Sequence, residues 1–305
     1  MNAVSSSDVI VNFTPTGMLP TRATTPHVPI QPKEIADQVQ EACTIGITMV
    51  HLHARDPQTG EPTSAAAIYG DIIGRIRAFA PDLVICVSLS GRCQRTVEER
   101  MQPLTLTGAE KPDMGSLTLS SVNFNREASV NAPDTIQALA REMQARGVLP
   151  ELEVFDSGMI NYARYLERKG LLTPPHYFNL IFGNISCAQA DLLHIGVMVN
   201  DLPEASLWSL GGIGEAQLRV NALAVGWGGG VRVGLEDNIW YDAARTRLAS
   251  NAAMLRRIRV LAEAHERGIM APGELRKRLG LEPGNGRYGR VGKMPVRGAP
   301  GPPFL

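Results

Sequence analysis

Eight short runs rich in Val, Ile and Leu, at residues 9–13, 48–53, 83–89, 116–123, 152–155, 178–182, 207–210 and 231–235, alternate with amphipathic segments along this chain. Several of the runs are apolar on both faces, as parallel strands are when helices cover them. Helical periodicity occupies the intervals 33–44, 65–79, 133–146, 161–169 and 215–225. Eight strands alternating with helices predict an α/β chain folded as a (β/α)8 TIM barrel rather than as an open doubly wound sheet. The seventh run, around Trp208, is the weakest of the set. Beyond the eighth, a long helical pattern spans 241–267, and a short one spans 272–279. Pro272 suits the first turn of that second helix. From Glu282 onward the chain is rich in Gly, Pro and Arg and ends GAPGPPFL. Such a composition does not fold alone and is expected to be disordered or laid over a neighbouring surface, that of another subunit included. The expected organisation is a catalytic barrel domain with C-terminal helices over 1–281 and a Gly/Pro-rich tail over 282–305.

The 305 residues, 44% of them hydrophobic, suffice for one such barrel with decorations, since a single barrel takes about 250 residues. Lys plus Arg and Asp plus Glu both number 30, so the formal net charge is zero. A balanced chain has no long-range field to draw nucleic acid or an anionic membrane surface. No run approaches the ~18 apolar residues of a membrane span, and the first residues lack the basic and long apolar regions of a signal peptide. The four cysteines, Cys43, Cys86, Cys93 and Cys187, show no C-x-x-C spacing. They are expected to be reduced thiols, and the cytoplasm is the expected compartment.

The sharpest local motif is Val50-His51-Leu52-His53-Ala54-Arg55-Asp56. On a strand, residues two apart point to the same side with Cα atoms roughly 6.6 Å apart. Two imidazoles so placed at a strand's C-terminal end can bind one metal ion in the barrel mouth, where barrel enzymes keep their active sites. The second motif, Val231-Arg232-Val233-Gly234-Leu235-Glu236-Asp237-Asn238, crowds charge at the end of a buried strand. Buried charges need a partner or a metal, and Zn²⁺ together with Arg232 can supply the positive charge there. One carboxylate can then ligate while the other works as a base. Two His and one carboxylate make an open zinc site, and non-haem iron uses the same set. Ser88, Ser90 and Gly91 follow the third strand, and Ser116, Thr118 and Ser120 alternate along the fourth. Their hydroxyls and backbone N–H groups suit a substrate carboxylate or carbonyl. Gly211-Gly212-Ile213-Gly214 can open a helix at an anionic ligand, whereas the G-x-G-x-x-G match at Gly284–Gly289 follows no strand and is set aside.

These residues resemble a known family. HLHARD, the run from EERMQPL to KPDMGSL, ELEVFDSGM and above all VRVGLEDN are similar to the β-keto acid cleavage enzymes, of which the 3-keto-5-aminohexanoate cleavage enzyme is the type. The resemblance runs from about Val9 to Leu281. It implies a TIM barrel with one zinc ion, assembled as a homotetramer, that condenses a β-keto acid with acetyl-CoA to give acetoacetate and an acyl-CoA. By that resemblance His51, His53 and Glu236 are metal ligands, and Asp237, oriented by Arg232, is the general base. Ser88, Ser116 and Thr118 fall where the family binds the keto acid, and Gly91 is taken with them. Members acting on amino-substituted substrates carry an acidic residue soon after the first strand, as in TGAE. Here the stretch reads Thr16-Gly17-Met18-Leu19, which implies a neutral or aliphatic substrate tail.

Two other readings compete. A metallohydrolase of amidohydrolase type is also a barrel with H-x-H, but places that motif on the first strand and adds ligands on later ones. A barrel retained as a binding scaffold has no need for Arg232, Glu236 and Asp237 at one strand end.

Overall fold

The computed structural model describes residues 8–94 and 96–291. Numbering the barrel strands alone, these are β1 (Val11–Phe13), β2 (Met49–Leu52), β3 (Val84–Val87), β4 (Met114–Thr118), β5 (Leu149–Val154), β6 (His176–Phe182), β7 (Ser206–Gly212) and β8 (Gly230–Val233). Each pairs in parallel with its sequence neighbours, and β1 closes on β8 with Asn12 opposite Arg232. The eight runs read from the sequence are thus the eight strands of a (β/α)8 barrel. The Trp208 run, weakest by pattern, is a full seven-residue strand because both its neighbours supply ladder partners.

The helices are α1 (Pro32–Ile45), α2 (Ala66–Phe79), α3 (Val97–Met101), α4 (Pro133–Arg146), α5 (Ser157–Arg168), α6 (Leu192–Asn200), α7 (Ala216–Trp227), α8 (Asn251–Ala264) and α9 (Pro272–Leu279). Local chemistry sets their ends. Pro32 opens α1, where Glu34 accepts from the backbone N–H groups of Ile30 and Gln31. Gly147 closes α4 in the left-handed region, which glycine enters at little cost. Isoleucine and valine at helical spacing, such as Ile35 and Val39 of α1 and Ile72 and Ile76 of α2, bury against the outward faces of the strands.

Alternation along the strands makes a second, separate core inside the barrel. Met49, Val84, Met114, Leu149 and Tyr177 fill the lumen floor, and Met270, Leu275 and Leu279 close it from below. In β2 the pleat therefore sends Met49 and His51 inward and Val50 and Leu52 outward. Every inward position above the floor is available for chemistry.

Three expectations need correction. The helix expected over 241–267 begins only at Asn251. Ser250 caps it, and Asp242 takes the backbone N–H groups of Thr246 and Arg247, holding the preceding segment in a loop. Strand β4 ends at Thr118, so Ser120 leaves the face shared by Ser116 and Thr118. Helix α6 was not anticipated, because LLHIGVMVN is apolar almost all round and shows no amphipathic period.

The start of the tail folds back on its own barrel. Asp113, fully buried at the floor, accepts from Arg77 (2.7 Å), from both terminal nitrogens of Arg276 (2.8 and 2.9 Å) and from the Gly289 N–H (3.1 Å). Tyr288 stacks on Arg77, and the Arg290 N–H reaches the Gly147 carbonyl. Residues 292–305 lie outside the described residues.

Candidate active site

His51 ends the inward row of β2, and His53 follows one residue beyond the strand. Their Nε2 atoms lie 3.3 Å apart, and His53 Nε2 lies 3.1 Å from Glu236 Oε1. Glu236 is carried by the turn after β8, which passes very close to the loop after β1. A Cβ on Gly17 would lie 2.6 Å from Glu236 Cγ, and Gly17 sits at φ +64°. A side chain there would displace the carboxylate. The sequence-predicted trio is thus brought together across 183 residues of chain.

These separations test what the trio can hold. Ligand atoms on a tetrahedral zinc ion, each about 2.0–2.1 Å from the metal, lie about 3.3 Å from one another. The two measured gaps match that figure, and Glu236 Oε2 is buried without a partner. The donor set and its geometry therefore fit zinc. A second group, His51, Cys86 and Glu151, does not: His51 Nδ1 and Glu151 Oε2 are 2.5 Å apart, a hydrogen-bond distance too short for two ligands of one ion.

Glu151 went unassigned in the sequence reading, though E-L-E in β5 marks two carboxylates on one strand face. It is fully buried beneath the histidines. Its Oε1 accepts from Asn12 (2.7 Å) and Asn179 (2.6 Å), and its Oε2 faces His51 Nδ1 and the Cys86 thiol. With Nδ1 donating to Glu151, His51 presents an unprotonated Nε2 to the metal position, the orientation metal-bound imidazoles usually have. Burial opposes charge on both groups, yet their attraction holds Glu151 at about 2 and lifts His51 to about 9, so a metal bound at Nε2 would take the place of a proton there.

Arg232, fully buried on β8, organises the carboxylates. Its Nε donates to Asp237 Oδ2 at 2.9 Å and its Nη2 to Glu236 Oε1 at 2.6 Å, while Nη1 lies 3.6 Å from Glu153. Burial raises the Asp237 carboxyl to about 6, and the neighbouring Glu236 charge adds to the rise while Arg232 opposes it. Glu236 goes the other way: burial raises it, but Arg232 and the two histidines together hold it well below the usual range. Two adjacent carboxyl groups are pushed apart in affinity for a proton, the pattern that separates a fixed anion from a proton acceptor.

A cavity of about 170 Å³ opens above these groups. Ser88 and Thr118 line it, with the Thr118 hydroxyl donating to Glu153 at 2.7 Å. Ser116 does not reach it, because its Oγ accepts the Leu89 N–H. Gly91 also lies off the cavity: a Cβ there would meet the Val130 carbonyl. Ser90, Ser129 and Glu153 line the cavity too, and the apolar part of the wall is formed by Met18, Leu19, Val122, Phe124, Phe155, Ile181 and Ile213. Arg92 also faces in, stacked 3.7 Å over Phe124 and paired with Glu127. The Gly211–Gly214 segment is no free anion site, since the Ile213 and Gly214 N–H groups are taken by the carbonyls of Phe182 and Asp237.

A family profile described as beta-keto acid cleavage enzyme matches residues 8–281. The chain belongs to that family. It is 36% identical over 264 residues to the 3-keto-5-aminohexanoate cleavage enzyme of Fusobacterium nucleatum, covering 86% of this chain and 94% of that one. It is 32% identical over 292 residues to a 3-dehydrocarnitine:acetyl-CoA trimethylamine transferase of Rhizobium meliloti, covering 90% and 97%. A 3-oxoadipate:acetyl-CoA acetyltransferase of Cupriavidus necator is 34% identical over 277 residues, covering 89% and 94%. Among solved structures, apo ObcA superposes with a TM-score of 0.73 at 22% identity, over 84% of this chain and 66% of its own, which shows the shared barrel fold. No helix among the described residues is long and apolar enough to cross a membrane.

Proposed function

We propose that this β-keto acid cleavage enzyme condenses a β-keto acid with acetyl-CoA and releases acetoacetate and the CoA ester of the shortened acid. The observation that supports this reading is the convergence of His51, His53 and Glu236 at zinc-ligand spacing beside an Asp237 carboxylate held by Arg232. Zinc bound by those three residues would supply Lewis acidity that makes the α-protons of a keto acid more acidic. Asp237, with its raised proton affinity, accepts one of those protons while Arg232 keeps its Oδ2 in place. The resulting enolate carbon attacks the acetyl thioester and expels CoA thiolate. That thiolate adds to the original keto carbon, the bond between C2 and C3 breaks, and the acetoacetate enolate recovers its proton from Asp237. Ser88 and Thr118 orient the carboxylate and keto oxygens from the opposite wall.

The curated relatives act on tails as different as an amine, a trimethylammonium group and a carboxylate, so kinship leaves the tail open. Met18 and Leu19 stand at the cavity in place of an acid, and Arg92 faces it in addition to Arg232. The carboxylates at the cavity are already held: Glu236 and Asp237 pair with Arg232, Glu153 accepts the Thr118 hydroxyl and lies 3.6 Å from Arg232, and Glu151 is sealed below. We therefore assign a neutral, aliphatic tail. The same reading carries a cytoplasmic homotetramer, to be checked by sedimentation of the purified protein. The hydrolase alternative loses its footing, since H-x-H stands at the end of β2 and the other four histidines, among the described residues, join neither candidate metal group. A screen of β-keto acids with acetyl-CoA, watching for acetoacetate, tests the function. Acid consumption without thioester, or none with any keto acid, would overturn it.

A further inference from the structure

A second, larger cavity of about 580 Å³ lies between α7, α8 and the loop after β8. Asp237 lines the central cavity and its neighbour Asn238 lines this one; likewise Ile213 faces the first and Glu215 the second. The two spaces are separated only by these short stretches of chain at the ends of β7 and β8. In barrels, the loops after the seventh and eighth strands are a frequent site for phosphate.

The lining of the outer cavity is built for an aromatic polyanion. Arg219, Arg245 and Arg257 face it together with Trp240 and Tyr241. The Tyr241 ring is clamped between two guanidinium groups, Arg257 at 3.5 Å and Arg247 at 3.8 Å, and Arg257 Nη2 also donates to the Tyr241 carbonyl at 2.8 Å, which fixes the Arg257 guanidinium at the cavity wall. Two acids share the lining. Asp242 is consumed by the loop N–H groups of Thr246 and Arg247, and Glu215 stands 3.8 Å from an exposed Arg245. Arg245 itself adopts φ +57°, a left-handed conformation unfavourable for a residue with a Cβ, and such strain gathers at ligand sites. Nothing in the zinc-site chemistry uses these residues.

We infer that this cavity binds the phosphorylated nucleotide end of CoA, with Arg219, Arg245 and Arg257 on its phosphates and Trp240 against its adenine. The pantetheine arm then crosses the Asp237–Asn238 rim and delivers the thioester to the central cavity. Planar guanidinium groups bind phosphate bidentately, and aromatic faces stack on a base. The inference rests on the proposed use of acetyl-CoA, but binding can be measured without turnover.

The test is a titration of the purified protein with CoA, 3′-dephospho-CoA and pantetheine, read by calorimetry and by tryptophan fluorescence. CoA is expected to bind most tightly, 3′-dephospho-CoA more weakly and pantetheine weakest, with the preference shrinking as salt rises. Arg257→Ala is expected to weaken CoA at least tenfold, and Trp240→Phe to remove the fluorescence change. Arg245→Glu keeps the test open if Arg257→Ala misfolds, because Arg245 lies on an exposed loop. Failure of the wild-type chain to bind CoA, or unchanged CoA affinity in folded Arg245→Glu, overturns the inference. So does a variant that keeps CoA affinity but falls apart as an oligomer, which would assign the cavity to a second copy. CoA binding lost in the variants, with no acetoacetate from any keto acid, would sustain the inference and sink the proposed reaction.

Discussion

Replacing Glu151 by Gln isolates the role of the buried carboxylate under the metal position. Volume and shape are kept, so the lumen remains packed. The amide oxygen must take the Oε1 position, because Asn12 and Asn179 both donate there at 2.7 and 2.6 Å. The new NH₂ group is then directed at His51 Nδ1, where a carboxylate oxygen stood at 2.5 Å. His51 is forced to accept at Nδ1 and to carry its proton on Nε2, the atom that faces His53 and the metal position. Zinc must displace that proton or break the new hydrogen bond. Losses of this kind run to about 10–100-fold in metal affinity, or about 1.4–2.7 kcal/mol. Competition against a fluorescent zinc chelator measures it directly on the wild-type and Glu151→Gln proteins. Equal zinc affinity in the two would refute the argument that Glu151 sets the His51 tautomer.

Four further outcomes are expected. His53→Ala removes a central ligand and should leave well under one zinc per chain by elemental analysis; full occupancy would dismiss the site. Asp237→Asn should retain zinc and fold while kcat falls on the order of 10²–10⁴, and loss of zinc with activity would mean that Glu236 and Asp237 have been given each other's roles. Asp113→Ala leaves the buried Arg77 and Arg276 facing each other without their anion, which should cost roughly 3–5 kcal/mol in denaturant unfolding; a change under about 1 kcal/mol would contradict the assigned importance of that pair. For the substrate tail, an ammonium group buried without a partner costs several kcal/mol, so kcat/KM should favour 3-ketohexanoate over its 5-amino analogue and Leu19→Glu should narrow or reverse the gap; a wild-type preference for the amino acid would rule out the neutral tail.

The barrel itself was legible in the sequence, because a strand covered by helices must be apolar and a helix beside it must be amphipathic. Those periods are local and survive without coordinates. H-x-H was legible for the same reason: a pleat of period two puts His51 and His53 on one side whatever the rest of the chain does. VRVGLEDN showed that the end of β8 carries more charge than a buried strand tolerates. What closure of the barrel decided was which distant groups meet. Glu151 reaches His51 only because β5 stands across the lumen from β2, 100 residues away. Ser116 accepts the Leu89 N–H from just beyond β3, a partner that only the packed strands supply, while Thr118, two residues further along β4, faces the cavity. The segment after α9 reads as structureless by composition, yet Gly289 and Tyr288 are held by Asp113 and Arg77 on the barrel floor. A pattern along the chain records which face is buried; it holds no record of the partner that buries it, because that partner is set by strand register and barrel closure.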